Sequence, residues 1–139
     1  ARFDPVAVDF FNTIHDTYPV KFVLMTTWKD HIPTDDTIGF HWIQASFASA
    51  GFRGKFADPW KTNPHDDPEL HSLDRAYEVK RYLLDYGRDV QDYILFDDSS
   101  YQFNEVLGKK RFVKTDPDNG LLFKHILNAK SLMGNWRKQ

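Results

Sequence analysis

The stretch Tyr93-Ile-Leu-Phe-Asp97-Asp98-Ser99-Ser100 joins four hydrophobic residues to two adjacent carboxylates. A short apolar run bounded by polar residues predicts a buried strand. In open α/β sheets, ligands bind beyond the carboxyl ends of the strands, where Asp97 and Asp98 would lie. Adjacent carboxylates repel each other unless a cation neutralises them, and Mg²⁺ prefers oxygen ligands. The stretch therefore indicates a metal site, although Asp-Asp-Ser-Ser is also ordinary turn chemistry.

Length and composition limit the class of protein. With 139 residues, of which 41% are apolar, the chain suits one compact domain spanning residues 1–139. Its 18 basic and 20 acidic residues nearly balance, so no overall positive field indicates a nucleic-acid partner. The absence of cysteine excludes disulfides and thiolate chemistry. No apolar run approaches the roughly 20 residues of a membrane helix, so we expect a soluble, cytoplasmic protein without membrane contact.

The first half of the chain predicts two helices and a strand. Asp4-Pro5 is typical of a capped helix start, and the apolar spacing continues to about His15. Val20–Met25 is apolar on both faces, which favours a strand covered by helices. A second helix is predicted from about Thr37, with Gly51 as its left-handed end. For residues 54–71 the sequence predicts a long surface loop, with at most a short strand at residues 55–56 near its start.

The second half repeats this alternation. A third helix is predicted from a cap at Ser72 or Asp74 to Gly87, and the acid-bearing strand follows it. Arg111–Lys114 predicts a short strand and Thr115–Gly120 a turn. Inward positions are expected on the third helix and on a last helix at Val79, Tyr82, Leu83, Tyr86, Leu122, Ile126, Ala129 and Met133. Alternating strands and helices favour an α/β fold with a mostly parallel sheet flanked by helices.

Four segments in this order resemble small haloacid dehalogenase (HAD)-like phosphatase domains, including those associated with RNA-repair proteins. Val23-Leu-Met-Thr-Thr-Trp-Lys29 is similar to the family's strand-end Ser/Thr-Trp-Arg segment, and Arg75-Ala-Tyr-Glu-Val79 to its Arg/Lys-Gly-x-Glu-Ile helix start. Tyr93–Asp98 and Arg111–Leu121 continue the resemblance, the latter because the family commonly has Asp-Pro-Glu/Asp-x-Gly-Leu there. The resemblance spans about residues 3–133.

The resemblance implies a Rossmann-like sheet with a Mg²⁺-dependent phosphoryl-transfer site. In such enzymes an aspartate attacks phosphorus, a Ser/Thr and a basic residue hold the phosphate oxygens, and acids at a strand end hold Mg²⁺. By correspondence, Thr26 and Arg75 would be the catalytic phosphate ligands. Thr27 and Lys29 are further candidate phosphate contacts, and Asp97-Asp98 would hold the metal.

Each of these residues also has a simpler interpretation. Thr26 can cap the following turn, in which case Thr27 is the functional hydroxyl. Lys29 can be merely solvated. Arg75 lies in a helix first turn, where a cation opposes the helix dipole unless an anion compensates, so its position indicates a bound phosphate. The alternative is an exposed arginine paired with Asp74 or Glu78.

The start of the chain lacks one feature of this family, the first strand of the expected sheet. These phosphatases open with a strand ending in Asp-x-Asp, whose acids are the nucleophile and the general acid. Asp9, Asp16, Asp35 and Asp36 do not follow an apolar strand. The sheet is therefore expected to lack or borrow its first strand. Either an omitted segment or a partner polypeptide supplies that strand, or the domain has lost catalysis.

Two main functions follow from this departure. The first is a Mg²⁺-dependent phosphomonoester hydrolase, acting on a nucleotide or a nucleic-acid end, with its nucleophilic aspartate outside these 139 residues. The second is a catalytically inactive HAD-like module that binds a protein or nucleotide, through the aromatic stretch Phe40–Ile43 or the loop around Trp60. A third interpretation is nucleic-acid binding by the basic end, Lys130–Lys138, with Trp136 as a stacking residue.

Overall fold

The computed structural model describes residues 4–25, 36–63, 74–100 and 102–139. The chain divides into two compact units, one formed by Ala1–Trp60 with Asn135–Gln139 and the other by Lys61–Gly134. Its elements in chain order are α1 (Pro5–Thr17), β1 (Phe22–Leu24), α2 (Asp36–Ser49), β2 (Phe56–Lys61), α3 (Asp74–Tyr86), β3 (Leu95–Asp97), α4 (Phe103–Leu107), β4 (Phe112–Lys114) and α5 (Phe123–Met133). The alternation confirms the α/β class expected from the sequence.

Helix α1 begins as its sequence predicts. The Asp4 side chain accepts a hydrogen bond from the Val6 amide at 3.0 Å, which satisfies one of the amides that a helix start leaves unpaired. Pro5 occupies the first turn, where it has no amide to lose. The helix buries Phe10 and Ile14, one turn apart. The N-cap and the spacing of the apolar residues therefore both favour a helix at this position.

The core of the first unit lies between α2, β1 and β2. Ile43 is fully buried and Trp60 is only 4% exposed, and the partly buried side chains packed against this pair are Leu24, Phe40, Phe47 and Phe56. Helix α2 ends before Gly51, whose φ of 93° is a left-handed conformation that favours glycine. The predicted end of this helix is confirmed.

Strand β2 corrects the predicted loop in its first part. Residues 56–61 form a strand with β1 in a two-stranded sheet, although Pro59 lies within it. Proline has no amide to contribute to a ladder of hydrogen bonds, so within sheets it is confined to edge strands, strand starts and bulges. The burial of Trp60, which local sequence signals do not reveal, accounts for the longer strand.

The second unit is built around the parallel pair β3 and β4. Leu95 pairs with Phe112, Phe96 with Val113, and Asp97 with Lys114. Val113 is fully buried at the centre of β4. Helices α3 and α5 bury apolar residues in the same unit, namely Ala76, Val79, Ala129 and Met133. The predicted strands and the last helix are confirmed. Because β3 and β4 pair in parallel, the carboxyl ends of these two strands lie at the same edge of their sheet.

Helix α4, which connects β3 to β4, has no counterpart in the sequence predictions. It has only five residues, and its Gln102 N-cap makes no side-chain cap hydrogen bond. Phe103 is 1% exposed, and its ring centroid lies 4.9 Å from that of Phe112 on β4. Contact between these two rings, rather than a local helix signal, accounts for the position of α4.

The expected inward position of Tyr86 is wrong, because Tyr86 is exposed at the end of α3.

Within the described part of the chain, none of the helices has the length and apolar character needed to cross a membrane.

Candidate functional site

A buried ion pair joins the start of α3 to the end of β3. Nη1 of Arg75 donates to Oδ2 of Asp97 at 2.6 Å. The two side chains are 10% and 1% exposed, respectively. The structure thus brings together two of the predicted site residues, which are 22 positions apart in sequence. A charge-assisted hydrogen bond of this length in a dry environment is among the stronger polar contacts in proteins.

Backbone contacts fix the orientation of Asp97. Its Oδ1 accepts from the Ser99 amide at 3.0 Å, and its carbonyl oxygen accepts from the Thr115 amide at 2.8 Å. The first contact is a local turn and the second continues the parallel pairing of β3 with β4. Both carboxylate oxygens of Asp97 are therefore engaged by donors, and the side chain is held at the carboxyl end of the strand.

Burial and hydrogen bonding act in opposite directions on Asp97. Burial raises the pKa of the Asp97 carboxyl above its usual value, whereas the hydrogen bonds from Arg75 and from the Ser99 amide lower it. The neighbouring Asp98 carboxyl raises the pKa further because two carboxyl groups share the site. Of the two side chains named here, Arg75 favours the ionised form of Asp97 and Asp98 disfavours it.

The structure tests the sequence interpretation in which Arg75 is exposed. The expectation of an exposed Arg75 is wrong, because the guanidinium is buried and pairs with Asp97. The Asp97 carboxylate at the end of β3 compensates the cation in the first turn of α3. The role of Arg75 in binding phosphate stays a prediction.

Asp98 is exposed, unlike its neighbour. Its Oδ1 accepts from the Ser99 hydroxyl at 3.4 Å, a long contact that leaves most of its hydrogen-bonding capacity available to solvent or a ligand. The described residues contain no group of three or more His, Asp or Glu that could hold a metal. Mg²⁺, however, is commonly held by one or two carboxylates together with water and substrate phosphate. The Asp97-Asp98 donor set fits this mode.

The remaining predicted site residues are Thr26, Thr27 and Lys29, and all three lie outside the described residues. The described segment that precedes them ends at Met25, which is buried and lies one residue after β1. Their roles in phosphate binding stay predictions.

The sequence Asp116-Pro-Asp118 repeats the Asp-x-Asp spacing directly after β4, but it forms a turn. Oδ1 of Asp116 accepts from the amides of Asp118 and Asn119 at 2.8 and 2.9 Å, and an isolated bridge pairs Asp116 with Gly120. This is an Asx-type turn, as the sequence predicts. The Asp116 carboxylate therefore has a turn-forming role where β4 ends.

The Asp116 turn predicts a pH dependence. The Asn119 and Asp118 amides lower the pKa of Asp116 below its usual value. The folded state then binds fewer protons than the unfolded chain, so this stabilisation is present above the unfolded pKa and is lost as pH falls through the folded one. In a ¹³C NMR titration we expect the Asp116 carboxyl to titrate at lower pH in the folded chain than in the same chain unfolded in urea. An equal or higher midpoint would contradict the turn.

The aromatic surfaces considered for a binding module are only partly available. Ile43 and Trp60 belong to the core of the first unit, so their side chains are not exposed for binding. The rest of the loop that follows Trp60 lies largely outside the described residues. Trp42 is exposed on α2. The Trp136 ring, considered for base stacking, makes an edge contact with Tyr18 at a centroid distance of 5.8 Å. Part of its surface is thereby used in packing within the first unit.

Comparison with known proteins gives the family. Searches of curated proteins and of solved structures returned no significant match. Residues 1–126 match the family described as "HAD domain in Swiss Army Knife RNA repair proteins". This match covers most of the 139 residues and includes Arg75 and the Asp97-Asp98 strand end. The alternating α/β elements described above are consistent with a HAD-like fold. The chain therefore belongs to the HAD domains of Swiss Army Knife RNA repair proteins.

Proposed function

We propose that this domain contributes to the Mg²⁺-dependent hydrolysis of a phosphomonoester, with a nucleotide or a nucleic-acid end as the substrate class. The observation that carries the proposal is the buried Arg75–Asp97 pair at the carboxyl end of a parallel strand, with Asp98 exposed beside it. It combines a cation for phosphate with two oxygen donors for a hard metal ion. Membership of a HAD family supports the same chemistry.

The roles follow from the chemistry of each side chain. Asp97 and Asp98 would hold Mg²⁺, which supplies Lewis-acid stabilisation of charge on the phosphoryl oxygens. The Arg75 guanidinium would bind equatorial phosphate oxygens, and Thr26 would donate to another, with Thr27 and Lys29 as further contacts. The attacking aspartate would come from an Asp-x-Asp segment outside these 139 residues, on the same chain or on a partner that completes the sheet.

The test uses the full gene product, assayed with a nucleoside monophosphate and with a phosphorylated oligonucleotide. We expect phosphate release that requires Mg²⁺ and is lost with chelator. Asp98→Asn should lower kcat/KM by at least about 10-fold because it removes a metal ligand. Asp89→Asn, which changes an exposed aspartate after α3, is the matched control and should retain full activity.

Two outcomes would contradict the proposal. Equal Mg²⁺-dependent turnover by Asp98→Asn and the wild type would remove Asp98 from the metal site. No phosphate release from any phosphomonoester by the folded full gene product would instead favour a catalytically inactive binding module.

A further inference from the structure

We propose that the first unit binds one unpaired base of a single-stranded nucleic acid. The site is a cleft of about 170 Å³ between the C-terminal half of α2 and the start of β2, lined from residues 44–56. This inference goes beyond the proposed hydrolysis and does not depend on it, because Arg75 and the Asp97-Asp98 strand end belong to the other unit.

Three phenylalanine rings form the wall of the cleft. Phe47 lies on α2, Phe56 begins β2, and Phe52 lies on the segment between them. The centroids of the three ring pairs are 5.6, 5.5 and 5.9 Å apart, and the rings are inclined to each other by 57° or more. Inclined contacts leave part of the ring faces uncovered, and all three rings are only half-buried. Exposed ring faces stack on bases of any sequence.

The backbone that carries Phe52 is ordered by contacts within the unit. The Asn12 side chain, which is 6% exposed, donates to the Gly51 carbonyl at 2.8 Å and accepts from the Arg53 amide at 2.7 Å. A Cβ at Gly54 would overlap the Phe52 ring, so glycine allows this ring to lie close to the backbone. A wall that is ordered before binding loses less conformational entropy when a ligand arrives.

Polar groups at the rim of the cleft suit a base better than the apolar side chain of a protein partner. Gln44 and Arg53 both line the cleft and are exposed. The Gln44 amide offers donors and an acceptor, which match the edges of bases. Arg53 pairs with Asp16 of α1, so its guanidinium is held at the rim. Guanidinium planes also stack on unpaired bases.

Two exposed lysines lie beside each other next to the aromatic wall. The Phe22 amide donates to the Lys55 carbonyl at 2.8 Å, which brings Lys21 close to Lys55. The Phe22 ring lies 5.0 Å from the Phe52 ring between centroids. Within the described residues, no acidic side chain forms an ion pair with Lys21 or Lys55. Both ammonium groups are therefore available to the phosphates on either side of a bound base.

The local excess of positive charge is small, which limits the electrostatic share of binding. Asp16 offsets Arg53, and Asp58 is a further exposed acid on β2. Lys21 and Lys55 then supply two phosphate contacts. Since each contact to a single strand contributes about 0.7, we expect the logarithm of affinity to fall with the logarithm of salt concentration with a slope of roughly −1.4. Stacking supplies most of the affinity.

The first experiment measures binding of the 139-residue chain to a labelled oligoribonucleotide of roughly 10 nucleotides by fluorescence anisotropy. The strand has hydroxyl ends and thus contains no phosphomonoester, so the result is independent of the proposed hydrolysis. An abasic strand of equal length keeps the phosphates but should bind at least about 5-fold more weakly, the lower limit for loss of one stacked base. Equal binding of the two strands, or no binding of either, would overturn the proposal.

The second experiment fills the cleft without removing a core ring. Ala48 lines the cleft, and Ala45 lies three residues earlier on α2; both are exposed, and leucine is a strong helix former at either position. We expect Ala48→Leu to bind the oligoribonucleotide at least about 5-fold more weakly than the wild type, because its side chain takes the space of the base. Ala45→Leu is the matched control and should bind within about twofold of the wild type. An unchanged affinity of Ala48→Leu would sink the cleft as the site.

The third experiment separates this site from the basic C-terminal end. Lys55→Gln should reduce the salt slope by about 0.7, whereas Lys130→Gln, an exposed lysine on α5, should leave it unchanged. A reduced slope for Lys130→Gln alone would place the phosphate contacts at the C-terminal end and contradict the proposal.

Discussion

Replacing Arg75 with methionine should lower the free energy of unfolding of the second unit by about 3–5 kcal/mol near neutral pH. The substitution keeps an unbranched apolar stem but removes the guanidinium, so the buried Asp97 carboxylate loses its cation. Burial already raises the pKa of Asp97, and Arg75 is one of the groups that lower it. Without Arg75, the pKa of Asp97 should rise further.

This loss of stability should depend on pH in a defined direction. Since the pKa of Asp97 is raised in the folded state, the folded state binds more protons than the unfolded chain between the two values. Stability therefore falls as pH rises through this interval, and the cost of Arg75→Met should be smaller at about pH 4 than at about pH 7. An equal cost at both pH values would contradict the buried pair.

Arg81→Met provides the matched control for Arg75→Met. Arg81 lies on the same helix and pairs with Asp85 one turn later at 3.7 Å, but its side chain is 62% exposed. Exposed pairs of this kind contribute little, so a change of less than about 0.5 kcal/mol is expected. Amide hydrogen exchange at Leu95 and Thr115, whose amides bond across β3 and β4, measures both effects within the second unit.

Phe103→Ala should destabilise the second unit by about 3–5 kcal/mol. Phe103 is 1% exposed, and its ring packs against Phe112 at 4.9 Å between centroids. The substitution removes a large buried ring and leaves a cavity beside β4. Because α4 has no side-chain cap hydrogen bond at its start, we expect this short helix to lose its order as well.

The control for Phe103→Ala is Phe123→Ala. Both phenylalanines are the first residues of helices, but Phe123 is 72% exposed at the start of α5. A surface substitution of this kind should change stability by less than about 0.5 kcal/mol. Exchange of the Leu95 and Thr115 amides should therefore accelerate strongly in Phe103→Ala and little in Phe123→Ala. Similar effects of the two substitutions would contradict the burial of Phe103.

Elements with strong local signals could be predicted from the sequence. Asp4 and Pro5 mark the start of α1, and Gly51 marks the end of α2 in a left-handed conformation. Caps, prolines and glycines act on the backbone within a few residues, so the chain alone reveals them. The turn at Asp116 follows the same rule, because its acceptor and donors are at most three residues apart.

Elements that depend on distant contacts could not be predicted in this way. Strand β2 extends to Lys61 because Trp60 packs with Ile43 of α2, although Pro59 lies within the strand. Helix α4 forms where Phe103 meets Phe112 of the next strand. Neither contact has a local signature, since the free energy of burial depends on which surfaces meet in the folded chain.

The same distinction between local signals and distant contacts applies to the candidate site. The sequence by itself determined that β3 ends in two carboxylates and that α3 begins with a cation, because each feature is local to its element. Only the tertiary structure decided that Asp97 is buried, that Asp98 is exposed and that Arg75 pairs with Asp97. Residues 75 and 97 meet through the packing of their unit, and the strength of their interaction depends on how completely that packing excludes water.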